Sequence, residues 1–168
     1  MARKPVLLNS RLYAFGFRMF SRDHVAKISR GETVTFKGFD VAALTTIGRK
    51  SGEPRTVAVA YARDGDTLLT GASAGGREQS PAWYGNLKAN PECTIRIGGV
   101  ELKRIAREVD DEHYADALAK LIAVAPNYGD YADWRGRPFP IMALDPVPES
   151  ENAGETAAEP ATAPESDA

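Results

Sequence analysis

Three cations and two glycines share nine positions in the segment GRKSGEPRT, residues 48–56. Holding Arg49, Lys50 and Arg55 so close costs mutual repulsion, which an anion bound among them would reverse. The glycines free backbone N–H groups that would add donors to such a cradle. The segment fits no nucleotide loop. A phosphate loop of the form G-x-x-x-x-G-K-[ST] places its lysine after the second glycine and continues as a helix. Here Lys50 precedes Gly52, and the strand-like run RTVAVAYA follows. From charge alone, an anion cradle and a solvated turn stand equal.

A second group of residues lies in SPAWYGNLKANP, residues 80–91. Ser80 reads as a helix cap with Pro81 at the first helical position, and Pro91 as the stop. On that helix Trp83 and Asn86 share one face, Tyr84 and Lys88 another. An aromatic ring beside an amide suits a flat heteroaromatic ligand with polar edges. Trp83 and Leu87 also read as core anchors, but Asn86 is harder to place in a core.

Other chemistries find little support. His24 and His113 are isolated, and no His, Cys and carboxylate set has ligand spacing, so no metal is expected. Cys93, the single cysteine, opens a strand with no nearby base and reads as a buried structural thiol. Ser51 and Ser73 lack the context of a catalytic triad. A net charge of -2 and the absence of a basic aromatic platform argue against nucleic acid.

The elements that must position these residues follow from periodicity. Residues 9–28 read as a helix with Arg11, Arg18 and Arg22 on one face and Leu12, Phe15 and Met19 on another. Two readings stay open: a helix packed on the core, and a basic amphipathic segment lying against a membrane or covering a greasy substrate. After Gly31 the pattern becomes strand-like in VTFKG, FDVAALTTI, RTVAVAYA and TLLTGAS, with Asp64-Gly65 marking a hairpin. ECTIRI and VELKRIAREV form a further hairpin, DDEHYADALAKLIAVA a helix, PNYGDYADWRGRP an aromatic loop, and FPIMAL a last strand. About six antiparallel strands, two inserted helices and no βαβ alternation predict a mostly β, α+β barrel.

The chain of 168 residues thus divides into an amphipathic helix (1–30), a barrel domain (31–146) and a tail (147–168). From Pro146 onward there are six acidic residues and no Lys or Arg, leaving 21 basic against 17 acidic residues before it. That composition predicts a disordered tail. No apolar run approaches the length needed to span a bilayer, and a lone cysteine fits a reducing cytosol, so a cytoplasmic protein is expected.

Four segments in order, LTTIGRKSGEPR, ASAGG, PAWYGNLKANP and NYGDYADWRGRPFPI, resemble the deazaflavin-dependent nitroreductase family. Its members are small split-barrel reductases, related to FMN-binding split barrels, that use coenzyme F420. The resemblance covers about residues 30 to 146. It implies a split β-barrel and an F420H2-dependent reductase passing a hydride to a hydrophobic quinone, nitroaromatic or enone. The cofactor carries a phosphodiester and an oligoglutamate tail, and Arg49, Lys50, Ser51, Gly52 and Arg55 would hold them. Ser73, Gly75 and Gly76 would line the deazaflavin ring, joined by Trp83 and Asn86. Tyr128, Tyr131 and Trp134 match positions that shape the substrate pocket, with Phe17 of the amino-terminal helix capping it. Tyr128 and Ser73 are the candidate catalytic hydroxyls, bonding the substrate's accepting oxygen.

The chain departs from the family pattern twice. Val57 and Ala58 replace a polar residue and proline, and Ala125 stands where a pocket tyrosine is usual, which predicts a more open pocket. Barrels of this kind often pair, so a homodimer is expected by analogy. Two alternatives stay open: the same barrel using FMN, and a non-catalytic lipid- or cofactor-binding protein of the same fold.

Overall fold

The run FDVAALTTI is apolar at consecutive rather than alternate positions, the pattern of a strand covered on both faces. In the computed structural model, which describes residues 21–148 except Lys37, this run is β2 (Phe39–Ile47). Val41 and Ala43 on one face join a core with Ile28, Leu121, Tyr128 and Phe139. Ala42 and Leu44 on the other join Leu68, Trp83, Leu87, Ile95 and Leu144. Each fully buried leucine contributes about 1.5–3 kcal/mol relative to an exposed one.

Around β2 the remaining strands are β1 (Val34–Phe36), β3 (Pro54–Ala60), β4 (Ala62–Asp64), β5 (Thr67–Gly71), β6 (Glu92–Ile97), β7 (Val100–Glu108) and β8 (Ile141–Pro146). Among the described residues four helices accompany them: α1 (described over residues 21–29), α2 (Ala82–Ala89), α3 (Asp111–Val124) and α4 (Asn127–Arg135). The sheet order is β1-β2-β6-β7-β8-β5-β4, every pairing antiparallel, with β3 on the other edge of β2. Ala43 shows the branch directly, pairing with Ala58 on one side and Arg96 on the other.

No ladder joins β3 to β5, so the curled sheet is a half-barrel open along that seam. One side chain bridges it instead: Thr70 Oγ1 donates to the Ala60 carbonyl at 2.9 Å. Ser21 Oγ of α1 accepts the Ala58 N–H at 2.9 Å and so ties α1 to β3.

Three expectations are corrected by the structure. Eight strands form rather than about six, partly because RTVAVAYA breaks at Tyr61 into β3 and β4. Ser80 does not cap α2: Pro81 occupies the cap position with no side-chain bond, and the Ser80 hydroxyl instead accepts from Arg135 Nη2 at 3.2 Å. The aromatic segment is not a loop but α4, closed by Gly136, whose N–H bonds Ala132 and Asp133 carbonyls. Phe17, most of the amino-terminal helix and residues 149–168 of the tail lie outside the described residues.

Candidate functional site

The loop between β2 and β3 is closed by two backbone bonds, Gly48 N–H to Glu53 O and Gly52 N–H to Gly48 O, both 2.8 Å. It leaves Arg49, Lys50 and Arg55 exposed. No carboxylate pairs with any of the three among the described residues. By contrast Lys27, Arg30, Lys88, Arg96, Arg107 and Lys120 each hold a carboxylate oxygen at 2.6–2.9 Å. Unpaired cations concentrated in one turn favour the anion cradle over the solvated turn. Ser51 Oγ accepts from Arg55 Nη2 at 3.4 Å and from the Glu53 N–H at 3.3 Å, so it shapes the turn.

Asn86 fixes this turn to α2. Its Oδ1 accepts the Arg49 N–H at 3.1 Å and its Nδ2 donates to Thr46 Oγ1 at 3.1 Å. The residue is buried, as is Thr46. The Arg49 guanidinium lies directly against α2 at Gly85. The opposite face of α2 is tied to β7, because Tyr84 Oη and Lys88 Nζ both donate to Glu108 Oε2, at 3.0 and 2.8 Å.

Three and five residues before Asn86, Trp83 and Pro81 line a mostly apolar cleft that opens to solvent. Ser73, Ala74 and Gly75 line it too, as do Tyr128 and Tyr131 of α4, Phe36 and Phe39. At about 1.5 Å rise per residue, Pro81 and Trp83 stand within two helical turns of Asn86, which holds the cation turn. Five of the expected residues therefore meet in one cavity: Ser73, Gly75, Trp83, Tyr128 and Tyr131. Gly76 and Trp134 do not line it but back it. A Cβ on Gly76 would stand 2.8 Å from Trp134 and 3.1 Å from Tyr131, so the loop lies directly on α4.

That loop is unusual in its backbone. Ala74, Gly75 and Gly76 all have positive φ, at 50°, 69° and 84°. Ala74 is the one non-glycine residue so disposed among the described residues, at a cost of order 1 kcal/mol. Gly76 N–H closes the turn on the Ser73 carbonyl at 3.0 Å.

Tyr128 is buried, and its hydroxyl accepts the Gly71 N–H at 3.4 Å. Burial pushes this phenol up to about 12. The ring needs a bare backbone opposite: a Cβ on Gly71 would meet Tyr128 at 2.5 Å and Phe139 at 2.8 Å. Ala125, also buried, lines the cleft where a tyrosine would fill it. Cys93 is buried and its thiol is pushed up to about 12 by burial, which fits a structural role. Among the described residues no group of His, Cys, Asp and Glu could hold a metal, and no helix is long and apolar enough to cross a membrane.

Two contributors were not anticipated from sequence. Asn127 lines the cleft and donates from Nδ2 to Tyr131 Oη at 3.1 Å, a pairing its i, i+4 spacing on a helix would have revealed. Arg135 is buried and reaches the Ala72 carbonyl and the Ser80 hydroxyl.

Residues 18–146 match the family model described as F420H(2)-dependent quinone reductase. Rv1261c of Mycobacterium tuberculosis, an F420H(2)-dependent quinone reductase, is 41% identical over 105 residues, covering 60% of this chain and 70% of that protein. Among solved structures, an F420-H2 dependent reductase, FDR-A, is 29% identical with a TM-score of 0.60, covering 68% of this chain and 99% of its own. A second, described as a domain-swapped dimer, is 28% identical with a TM-score of 0.61, covering 74% of this chain and 96% of that one.

Proposed function

The chain belongs to the F420H(2)-dependent quinone reductase family, and from that premise we propose how its own residues divide the reaction. It is an oxidoreductase whose hydride donor is reduced coenzyme F420. When bound, that coenzyme supplies a hydride from C5 of its deazaflavin ring.

The residues present fit such a group at both ends. Arg49, Lys50 and Arg55, which have no carboxylate partner among the described residues, hold the phosphodiester and glutamates, while Ser51 and Gly52 shape the turn around them. Ser73, Gly75 and Trp83 flank the ring, and Gly76 lets their loop lie against α4. Asn86 commits its amide to Arg49 and Thr46, so it positions the cation turn rather than touching the ring. The observation that carries this reading is the connection itself: an apolar cleft at the start of α2 and, at its middle, cations without a carboxylate partner among the described residues.

The cleft selects a flat hydrophobic acceptor such as a quinone, nitroaromatic or enone. Its apolar walls exclude water, which strengthens each polar contact made inside. Tyr128 keeps its proton and, with Ser73, donates a hydrogen bond where negative charge develops on the acceptor oxygen. Tyr131 and Trp134 shape the pocket, Tyr131 steadied by Asn127. The domain-swapped dimer among the structural neighbours supports a homodimer for this chain. FMN, with one phosphate, would leave most of the cation turn unanswered.

Titration with oxidised F420 and with FMN, followed by turnover of F420H2 with menadione, tests the reading. The expected result is selective F420 binding, with one F420H2 oxidised per menadione reduced. Binding of FMN alone, or of F420 without turnover, would contradict it.

A further inference from the structure

One side chain pins both ends of the loop that carries the left-handed residues. Arg135 Nη1 donates to the Ala72 carbonyl at 3.4 Å, and Nη2 to the Ser80 hydroxyl at 3.2 Å, eight residues further on. Arg137 assists from the same chain end, with Nη2 donating to the Glu78 carbonyl at 2.9 Å. Arg135 itself is 8% exposed, no carboxylate pairs with it among the described residues, and its Nε has no partner. Removing a charge from water in this way is costly, and burial lowers its pKa accordingly. The negative end of α4, where Arg135 is the last residue, offsets part of that cost. Geometry gives the reason for a guanidinium at this position, because its planar fork bridges two separated acceptors, which an ammonium point charge does poorly.

The placement joins the two halves of the site. Tyr128, Tyr131 and Arg135 stand at i, i+3 and i+7 on α4, one face of a helix. The first two line the cleft, whereas Arg135 does not. We propose that Arg135 is a positioning residue that holds the 72–80 loop in the shape that receives the deazaflavin ring, and so governs cofactor affinity from outside the cleft. This rests on the reading of Ser73–Gly76 as the ring-binding loop.

The test compares wild type with Arg135→Lys and Arg135→Ala for F420 dissociation constant, menadione KM and melting temperature. F420 affinity is expected to fall about tenfold or more in both variants, with menadione KM within about twofold. Methylguanidinium added to Arg135→Ala is expected to restore part of that affinity, which a general loss of stability would not allow. Unchanged F420 affinity, or equal weakening toward both ligands, would overturn the proposal. Should neither variant fold, Ser80→Ala removes one acceptor without opening the core; it is expected to weaken F420 several-fold, about 2–5-fold, and no change would overturn the proposal. A wild-type protein that binds no F420 would overturn the functional reading and this inference together. Wild-type binding with unaltered variants would overturn this inference alone.

Discussion

Burial raises Tyr128 from an ordinary 10.0 to about 12, so its hydroxyl keeps its proton at neutral pH and acts as a donor rather than a base. Cys93 moves the same way, from 9.0 to about 12. In both cases the folded pKa lies above the unfolded one. The stability they confer is therefore complete below about pH 9 and declines as pH rises toward 12. Tyr128→Phe is expected to lower kcat with menadione about tenfold to a hundredfold, to leave F420 affinity nearly unchanged, and to soften the alkaline loss of stability. Steady-state kinetics and melting temperature between pH 7 and 11 check both parts, and an unchanged kcat would confine the hydroxyl to its bond with Gly71. Residue types were the most legible feature of the sequence. Arg49, Lys50 and Arg55 advertise themselves by charge density, and Ser73, Trp83 and Tyr128 by their motifs. Asn86 was legible as a residue out of place in a core, but its two partners, Arg49 and Thr46, are 37 and 40 positions away and left no local signal.

Elements were legible where one period dominates. The continuous apolar run of β2 and the acidic first turn of α3, capped by Asp110 through the His113 N–H, were readable from sequence alone. α4 was not, because Gly129, three aromatics and two aspartates in NYGDYADWR suppress helix propensity. Its stabilisation is tertiary: Tyr128 stacks beside Phe139 at 5.5 Å, Trp134 against Tyr131 at 5.6 Å, and Arg135 binds the loop opposite. The Gly136 terminus was the one local cue. Ser80 misled for the complementary reason, since a distant arginine took its hydroxyl. At this scale the joint between α2 and the β2–β3 turn is the critical one. Asn86→Ala deletes one buried and one half-buried hydrogen bond and leaves Thr46 and the Arg49 N–H without that partner. It is expected to destabilise the protein by about 1–3 kcal/mol and to weaken F420 while leaving menadione KM in place. Denaturant melts and F420 titration would register both effects, and a variant with full F420 affinity would separate the turn from the cofactor.

The whole molecule is a curled sheet kept open between β3 and β5, with the gap serving as the cleft. The Thr70 side chain crosses the seam, α1 is tied to β3, α4 supports the 73–76 loop, and α2 joins the cleft to the cation turn. That layout carries one proposal above the others: a single ligand runs along α2 from its start to its middle, ring in the cleft and anionic tail on Arg49, Lys50 and Arg55. The direct measurement is the affinity of wild type and Arg55→Ala for F420 and for its riboside fragment, which lacks the phosphodiester and glutamates, at low and high salt. Wild type should bind F420 more tightly than the fragment by about tenfold or more, and that advantage should shrink both with salt and in Arg55→Ala, while fragment affinity stays level. Equal affinity for the two ligands, or an advantage untouched by salt and by Arg55→Ala, would contradict the account.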